Sequence, residues 1–329
     1  MRRLFFALCL LLILPGCSGE KPVYDDFFAM DTAMRLTLYE DGGVAAATEA
    51  EVNRLEASFS RTREGSFVSR LNRGESVEDE ETAALLRRCR DYTALTEGAF
   101  DATVAPVVAA WGFTTDAYRV PGDAEIADLL THVGAEGIDI AGNTVTLADG
   151  VGVDLGGIAK GYASDRVRSL WDAEGVACGI AALGGNVYCR GHKPDGSLWS
   201  VAVRDPADAE AFVGTLELAD CFAVTSGGYE RFFTQDGKTY HHIIDPATGY
   251  PAESGLLSVT VVTDASGTLA DALSTALFIM GEEKSLAFLR EHTEIGAVLV
   301  TDDARVLITE GLEPAFAPAS EAYAYEYVR

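Results

Sequence analysis

From Gly137 onward the chain is a succession of short apolar runs separated by glycine and asparagine turns. Ile138–Ile140, Thr144–Leu147 and Val151–Val153 come first. Ile180–Ala182, Asn186–Arg190, Trp199–Val203, Thr215–Leu218, Thr239–Ile244, Ser258–Val262, Val298–Val300 and Val306–Thr309 follow. Runs of this length bounded by turn residues are strand signals, and Met34–Tyr39 adds an alternating one. Helical spacing is confined to a few longer segments: Val44–Phe59, Thr82–Thr96, Val104–Trp111, Asp123–Val133, a stretch from about Gly161 to Glu174 stopped by Gly175, Thr268–Met280 and Glu283–His292. Hairpin-spaced strands with a few long helices do not make a strict βαβ alternation. The expected fold is α+β, a single compact domain of mainly antiparallel sheets with flanking helices. No repeat, low-complexity linker or composition break follows residue 25, and the acidic, aromatic tail beyond Leu312 reads as peripheral.

With 329 residues, 48% of them hydrophobic, the chain has material for a substantial core. Its net charge of −26 repels a nucleic-acid backbone and excludes that partner class. A phosphate-bearing ligand would need a local device, either a cation or a nest of backbone N–H groups.

The N-terminus has the form of a targeting segment, with Arg2 and Arg3 ahead of an apolar run Leu4–Leu14 too short to span a membrane. Leu14-Pro15-Gly16-Cys17 resembles a bacterial lipoprotein box, in which the cysteine is lipidated and becomes the mature N-terminus. The organisation expected is a signal peptide over 1–16, a tether over 17–26 and a catalytic domain over 27–329, lipid-anchored through Cys17. The alternative is an ordinary secretory signal with Cys17 incidental. Both place the mature protein in the cell envelope, outside the cytoplasmic membrane. Cys89, Cys178, Cys189 and Cys221 form no C-x-x-C pair, so zinc is not expected. Their apolar settings favour buried thiols.

Several segments carry chemistry. Tyr240–Pro251 (Y-H-H-I-I-D-P-A-T-G-Y-P) feeds two adjacent histidines into an Asp-Pro turn. Histidine titrates nearest neutral pH, so proton transfer competes here with an ordinary strand end. Val153–Tyr162 (V-D-L-G-G-I-A-K-G-Y) runs from a strand through three glycines into a helix. That is either a ligand loop, with Lys160 within reach of a phosphate at a helix start, or a tight strand–helix corner. It is neither a Walker loop nor G-x-G-x-x-G. Asp271 and Thr275 lie four residues apart, on one helix face. Carboxylate and hydroxyl together suit a hard cation such as Mg²⁺, although an aspartate near a helix start is also an ordinary cap. Gly98–Pro106 (G-A-F-D-A-T-V-A-P) reads as a planar-ligand wall or as core, and Phe59–Asn72 as a helix exit rich in basic and hydroxyl residues.

Taken in order, Met30-Asp31-Thr32, F-S-x-x-x-x-x-S-x-x-S-R-x-N, G-A-F-D-x-T-V-x-P, V-D-L-G-G-I-A-K-G-Y-A, S-G-x-Y-E-R-F-F, Y-H-H-I-I-D-P-x-T-G-Y-P and A-D-A-L-S-T-A-L resemble the ApbE family of FAD:protein FMN transferases, bacterial flavin-trafficking lipoproteins. The resemblance spans about residues 27–310. It implies an ApbE-like, T-fold-related domain that binds FAD as substrate with its pyrophosphate across Mg²⁺. The Ala159 carbonyl, Asp271 and Thr275 would hold the metal. Met30, Thr62, Ala99, Phe100, Asp101, Gly156, Lys160 and Tyr162 would line the FAD site, and His242 would be the base. The implied reaction moves FMN from FAD to a threonine hydroxyl of a target protein, a subunit of a membrane redox complex, and releases AMP. One departure stands out. At Thr62 most of the family's transferases carry an aromatic residue that packs on the flavin. Its loss leaves a Mg²⁺-dependent FAD pyrophosphatase, giving FMN and AMP, as the alternative, and a non-catalytic flavin-binding lipoprotein as a third reading.

Overall fold

The computed structural model describes residues 21–39, 42–115 and 117–329. The signal segment and Cys17 lie outside the described residues.

Nine strands form the central sheet, and their spatial order is their chain order. They are β1 (Val23–Ala29), β2 (Thr32–Leu38), β3 (Gly179–Leu183), β4 (Asn186–Arg190), β5 (Cys221–Gly227), β6 (Leu256–Thr263), β7 (Gly296–Thr301), β8 (Arg305–Thr309) and β9 (Ala324–Val328). Every neighbouring pair is antiparallel except β8 and β9, which run parallel. Because side chains alternate faces along a strand, each central strand feeds two cores. Phe222, Val224, Leu299 and Leu307 point into a large core under the helices. Cys221, Ala223, Val298, Val300, Val306 and Ile308 point into a second core. That second core is closed by a three-stranded sheet of Trp199–Arg204, Phe212–Leu218 and Phe316–Pro318. Apolar residues on both faces explain why these strands read as continuous apolar runs.

The helical layer comprises α1 (Val44–Phe59), α2 (Phe67–Leu71), α3 (Glu80–Leu95), α4 (Ala105–Ala110), α5 (Asp123–Leu130), α6 (Ala159–Ala173) and α7 (Gly267–Glu291). α6 lies against α7, and Gly161 is the point of closest approach. A Cβ there would come within 2.2 Å of the Gly267 carbonyl oxygen and 2.6 Å of Asp271 Cβ. Asp165, one turn further along α6, caps α7. Its carboxylate accepts from the N–H groups of Gly267 (2.8 Å) and Thr268 (3.1 Å) and from the Ser266 hydroxyl (2.6 Å). The two helices are thereby locked in register.

The α+β expectation holds, with four local differences. The tether does not extend to residue 26, because β1 begins at Val23 and Asp26 pairs with Arg35 across the hairpin. Val151–Val153 is not a strand. The Asn72 side-chain amide, folded in from 81 residues away, takes both the N–H (2.7 Å) and the carbonyl (2.9 Å) of Val153, which a ladder would otherwise use. The strand expected over Thr239–Ile244 stops at His241, and Ile244 pairs alone with Pro251. The tail is not merely peripheral: Phe316–Pro318 and β9 extend two sheets, and the Tyr325 hydroxyl bonds the Val213 carbonyl at 2.6 Å. The helices expected at Thr268–Met280 and Glu283–His292 are both present as the two halves of α7, divided at Gly281, whose φ of 74° leaves the helical region.

Candidate active site

A cleft of about 390 Å³ opens where the N-terminal ends of α6 and α7 meet the β1–β2 turn, the loops around α4 and the segment after Lys238–His241. Such a volume suits a small-molecule ligand. The β1–β2 turn is two residues long, and both Met30 (φ 49°) and Asp31 (φ 59°) are left-handed. That is the twist a two-residue hairpin requires, here met without glycine at a mild cost. It sets Met30 on the cleft wall.

His242 also lines the cleft. Its Nδ1 lies 3.1 Å from the Arg231 carbonyl oxygen. A carbonyl only accepts, so Nδ1 carries the proton and Nε2 keeps its lone pair for the cleft. Burial pushes the imidazole pKa down to about 4, against the opposing pull of the Arg231 carbonyl. The ring is therefore neutral at physiological pH and able to take a proton. His241 is spent on structure. Its Nε2 bonds the Ala252 carbonyl (3.0 Å), its Nδ1 accepts from the Ile243 N–H (3.3 Å), and its ring meets Phe278 edge-on. Asp245 likewise serves its own turn, accepting from the Ala247 N–H at 2.9 Å.

Three oxygen-bearing residues also line the cleft: Ala159, the first residue of α6, and Asp271 and Thr275, one turn apart on α7. Asp271 is 3% exposed, yet among the described residues no arginine or lysine bonds its carboxylate. Its Oδ2 accepts the Gly161 N–H at 2.8 Å, and its Oδ1 faces Asn186 Nδ2 at 3.4 Å. Thr275 shares a hydroxyl chain with Ser226 (3.2 Å), which continues to Ser274 (2.8 Å). One buried carboxylate, one hydroxyl and one carbonyl are hard oxygen donors, too few to enclose a cation. They fit Mg²⁺, which keeps waters and shares ligand phosphates.

The electrostatics of the walls matter for an anionic ligand. Among the described residues, Asp31, Glu56, Asp101, Asp154, Glu230 and Asp271 line the cleft against Arg61, Lys160 and Arg231. Arg61 is committed to Asp154. Lys160 Nζ rests 3.3 Å from the Gly156 carbonyl, and Arg231 bonds the Phe113 carbonyl at 3.1 Å. Asp101 is buried, and burial raises its pKa while hydrogen bonds from Thr103 oppose the shift.

Of the residues singled out in the sequence, Met30, Thr62, Ala99, Phe100, Asp101, Gly156, Ala159, Lys160, His242, Asp271 and Thr275 converge on this cleft. Tyr162 does not. Its ring packs edge-on against Phe59 and its hydroxyl bonds Glu81 at 2.9 Å, one helical turn below the cleft surface. The helix-start N–H groups are also used differently from the expectation of an anion cradle. The anion held at the start of α6 is the carboxylate of Asp271 itself. Arg61, Asp154, Phe113, Ser226 and Arg231 line the site without having been named for it. All but Phe113 sit inside the motifs quoted above, which was the available signal.

Comparison with known proteins gives the family. The ApbE family pattern matches residues 30–299. A FAD:protein FMN transferase of Vibrio cholerae is 34% identical over 322 residues, covering 92% of this chain and 95% of that protein. The enzyme of the same name from Treponema pallidum is 34% identical over 341 residues, covering 94% of each. The crystal structure of the ApbE protein from Thermotoga maritima superposes with a TM-score of 0.84 at 35% identity, over 90% of this chain and 99% of that one. The apo flavinyl transferase ApbE of Pseudomonas stutzeri gives 0.76 at 29% identity, over 92% and 96%. The chain belongs to the ApbE family.

Proposed function

We propose that this protein transfers FMN from FAD to a threonine hydroxyl of a target protein and releases AMP. The observation that carries the reading is His242, its proton fixed on Nδ1 by the Arg231 carbonyl and its Nε2 left to a cleft also lined by Asp271, Thr275 and Ala159. A threonine hydroxyl is a weak nucleophile at neutral pH and needs an adjacent base. Its Oγ attacks the FMN-side phosphorus, its proton passes to His242 Nε2, and the bond from that phosphorus to the bridging oxygen breaks. AMP leaves with that oxygen and its electron pair. Met30, Ala99 and Phe100 form apolar wall against which a flavin or adenine can rest. Asp271, Thr275 and the Ala159 carbonyl would hold Mg²⁺, which when bound supplies neutralisation of pyrophosphate charge in an otherwise acidic cleft.

The assay combines protein, FAD, Mg²⁺ and a candidate acceptor domain, followed by in-gel flavin fluorescence and nucleotide analysis. A fluorescent acceptor band with equimolar AMP supports transfer. Intact FAD would sink it.

Thr62 favours a second reading. It lines the cleft with its hydroxyl 3.2 Å from that of Ser60, so no aromatic ring lies there to pack on the flavin. Water then competes with the acceptor hydroxyl, giving FMN and AMP. Thr62→Tyr is expected to raise the ratio of labelled acceptor to free FMN about threefold to tenfold, the worth of one aromatic contact. An unchanged ratio discards the role of this position.

The N-terminal segment supports an envelope location with a lipid on Cys17, bringing the enzyme to targets among membrane redox complexes. Fatty-acid labelling of the expressed protein is expected. An unlabelled mature protein removes the anchor.

A further inference from the structure

Asn186 begins β4, directly after the Gly184-Gly185 turn, and Gly185 lines the cleft. The strand register holds it firmly, with Asn186 opposite Leu183 on β3 and opposite Val224 on β5. Its side chain is 1% exposed. Nδ2 faces Asp271 Oδ1 at 3.4 Å, while no protein donor among the described residues reaches its buried Oδ1. Turning the amide over would set an oxygen against a carboxylate oxygen, so the observed orientation is the one electrostatics requires. A buried amide kept for packing would satisfy both ends or be replaced by a hydrocarbon of the same shape. Asn186 satisfies only the end that faces Asp271.

We infer that Asn186 is a positioning residue for the cation site. It fixes the Asp271 carboxylate from the side opposite the Gly161 N–H. With Oδ2 held by Gly161 at 2.8 Å and Oδ1 facing Asn186 Nδ2 at 3.4 Å, rotation of the carboxylate plane about its last bond is restricted. Its remaining lone pairs then stay on the cleft, beside Thr275 and the Ala159 carbonyl. Outer partners of this kind orient ligating carboxylates, and their loss costs about 10- to 100-fold in metal affinity. The effect is expected mainly in binding, because the unpaired buried acceptor of the amide offsets what its long donor contact to Asp271 contributes to the metal-free protein.

The inference rests on the reading of Asp271, Thr275 and Ala159 as a Mg²⁺ site, and the test separates the two. Mg²⁺ is titrated calorimetrically into chelator-treated protein, with and without ADP, for wild type, Asn186→Leu, Asn186→Ser and Asp271→Asn. Melting temperatures are recorded without metal. In both Asn186 variants the Mg²⁺ dissociation constant is expected to rise about 10- to 100-fold. The metal-free melting temperature of Asn186→Leu should be unchanged or higher, and saturating Mg²⁺ should restore kcat. Wild-type affinity in either folded Asn186 variant overturns the inference while leaving the metal site standing. Wild type that binds no Mg²⁺, or binding that survives intact in Asp271→Asn, overturns both.

Discussion

Asp271→Ala is expected to lower the rate of FMN transfer about 10³-fold or more, the effect of losing several kcal/mol of charge stabilisation at the pyrophosphate. Among the described residues the cleft presents six carboxylates against three cations, and Arg61 is already paired with Asp154. An anionic pyrophosphate placed there without further positive charge meets net repulsion. Asp271 is the buried carboxylate that lines the cleft with Thr275 and Ala159, so it is the group through which that charge would be recruited. The alanine variant also strips an acceptor from the Gly161 N–H, a loss of about 1–3 kcal/mol that would weaken the α6–α7 contact. Asp271→Asn separates the two effects. Its amide oxygen still accepts from Gly161, and its new N–H group can donate to the Asn186 oxygen once that amide turns over. Activity should fall as far as in the alanine variant while the melting temperature stays near wild type. Steady-state transfer rates with and without chelator provide the check. Full activity in chelator-treated wild type would remove the cation from the reaction.

Much of the fold was legible because its signals are local. Val44–Phe59 carries its apolar residues at helical spacing, and the helix spans those same residues. Gly281 breaks α7 where the pattern divides Thr268–Met280 from Glu283–His292. What escaped depends on partners distant in sequence. Nothing within Val151–Val153 says that Asn72 will take its hydrogen bonds. Strand β5 was missed because Cys221-Phe222-Ala223-Val224 is apolar on both faces and then runs into Thr-Ser-Gly, without alternation. The site divides in the same way. Asp271 and Thr275 share a helix face by spacing alone. That they share a cleft with Ala159 is a product of α6–α7 packing at Gly161. Arg61 reaches Asp154 across 93 residues, and Asn186 reaches Asp271 across 85. A motif can specify which side chains are present at such a site, while the layer packing specifies which of them touch. Tyr162 illustrates the limit. It belongs to the same glycine-rich motif as Gly156 and Ala159, yet helical periodicity turns it toward Phe59 and Glu81.

His242→Asn is expected to reduce kcat about 10²- to 10⁴-fold, the usual worth of a positioned base. The asparagine side-chain N–H can still donate to the Arg231 carbonyl, so the segment leaving Lys238–His241 keeps its anchor while Nε2 is deleted. FAD binding should therefore change little, which equilibrium titration of the flavin would show. The pH profile gives an independent reading. With the imidazole pKa at about 4, the group is unprotonated, and so competent, throughout the neutral range. The acid limb of kcat/KM, which reports the free enzyme, should lie near pH 4 and not near 6.5. Bound pyrophosphate adds negative charge beside the ring and stabilises its protonated form, so the limb of kcat should lie at higher pH than that of kcat/KM. That shift matters chemically, because a base of pKa about 4 is a poor proton acceptor and the substrate itself strengthens it on arrival. His241→Asn leaves Nε2 of His242 in place and should keep both limbs. An acid limb that persists unchanged in His242→Asn, at whatever rate remains, would assign the proton transfer to another group.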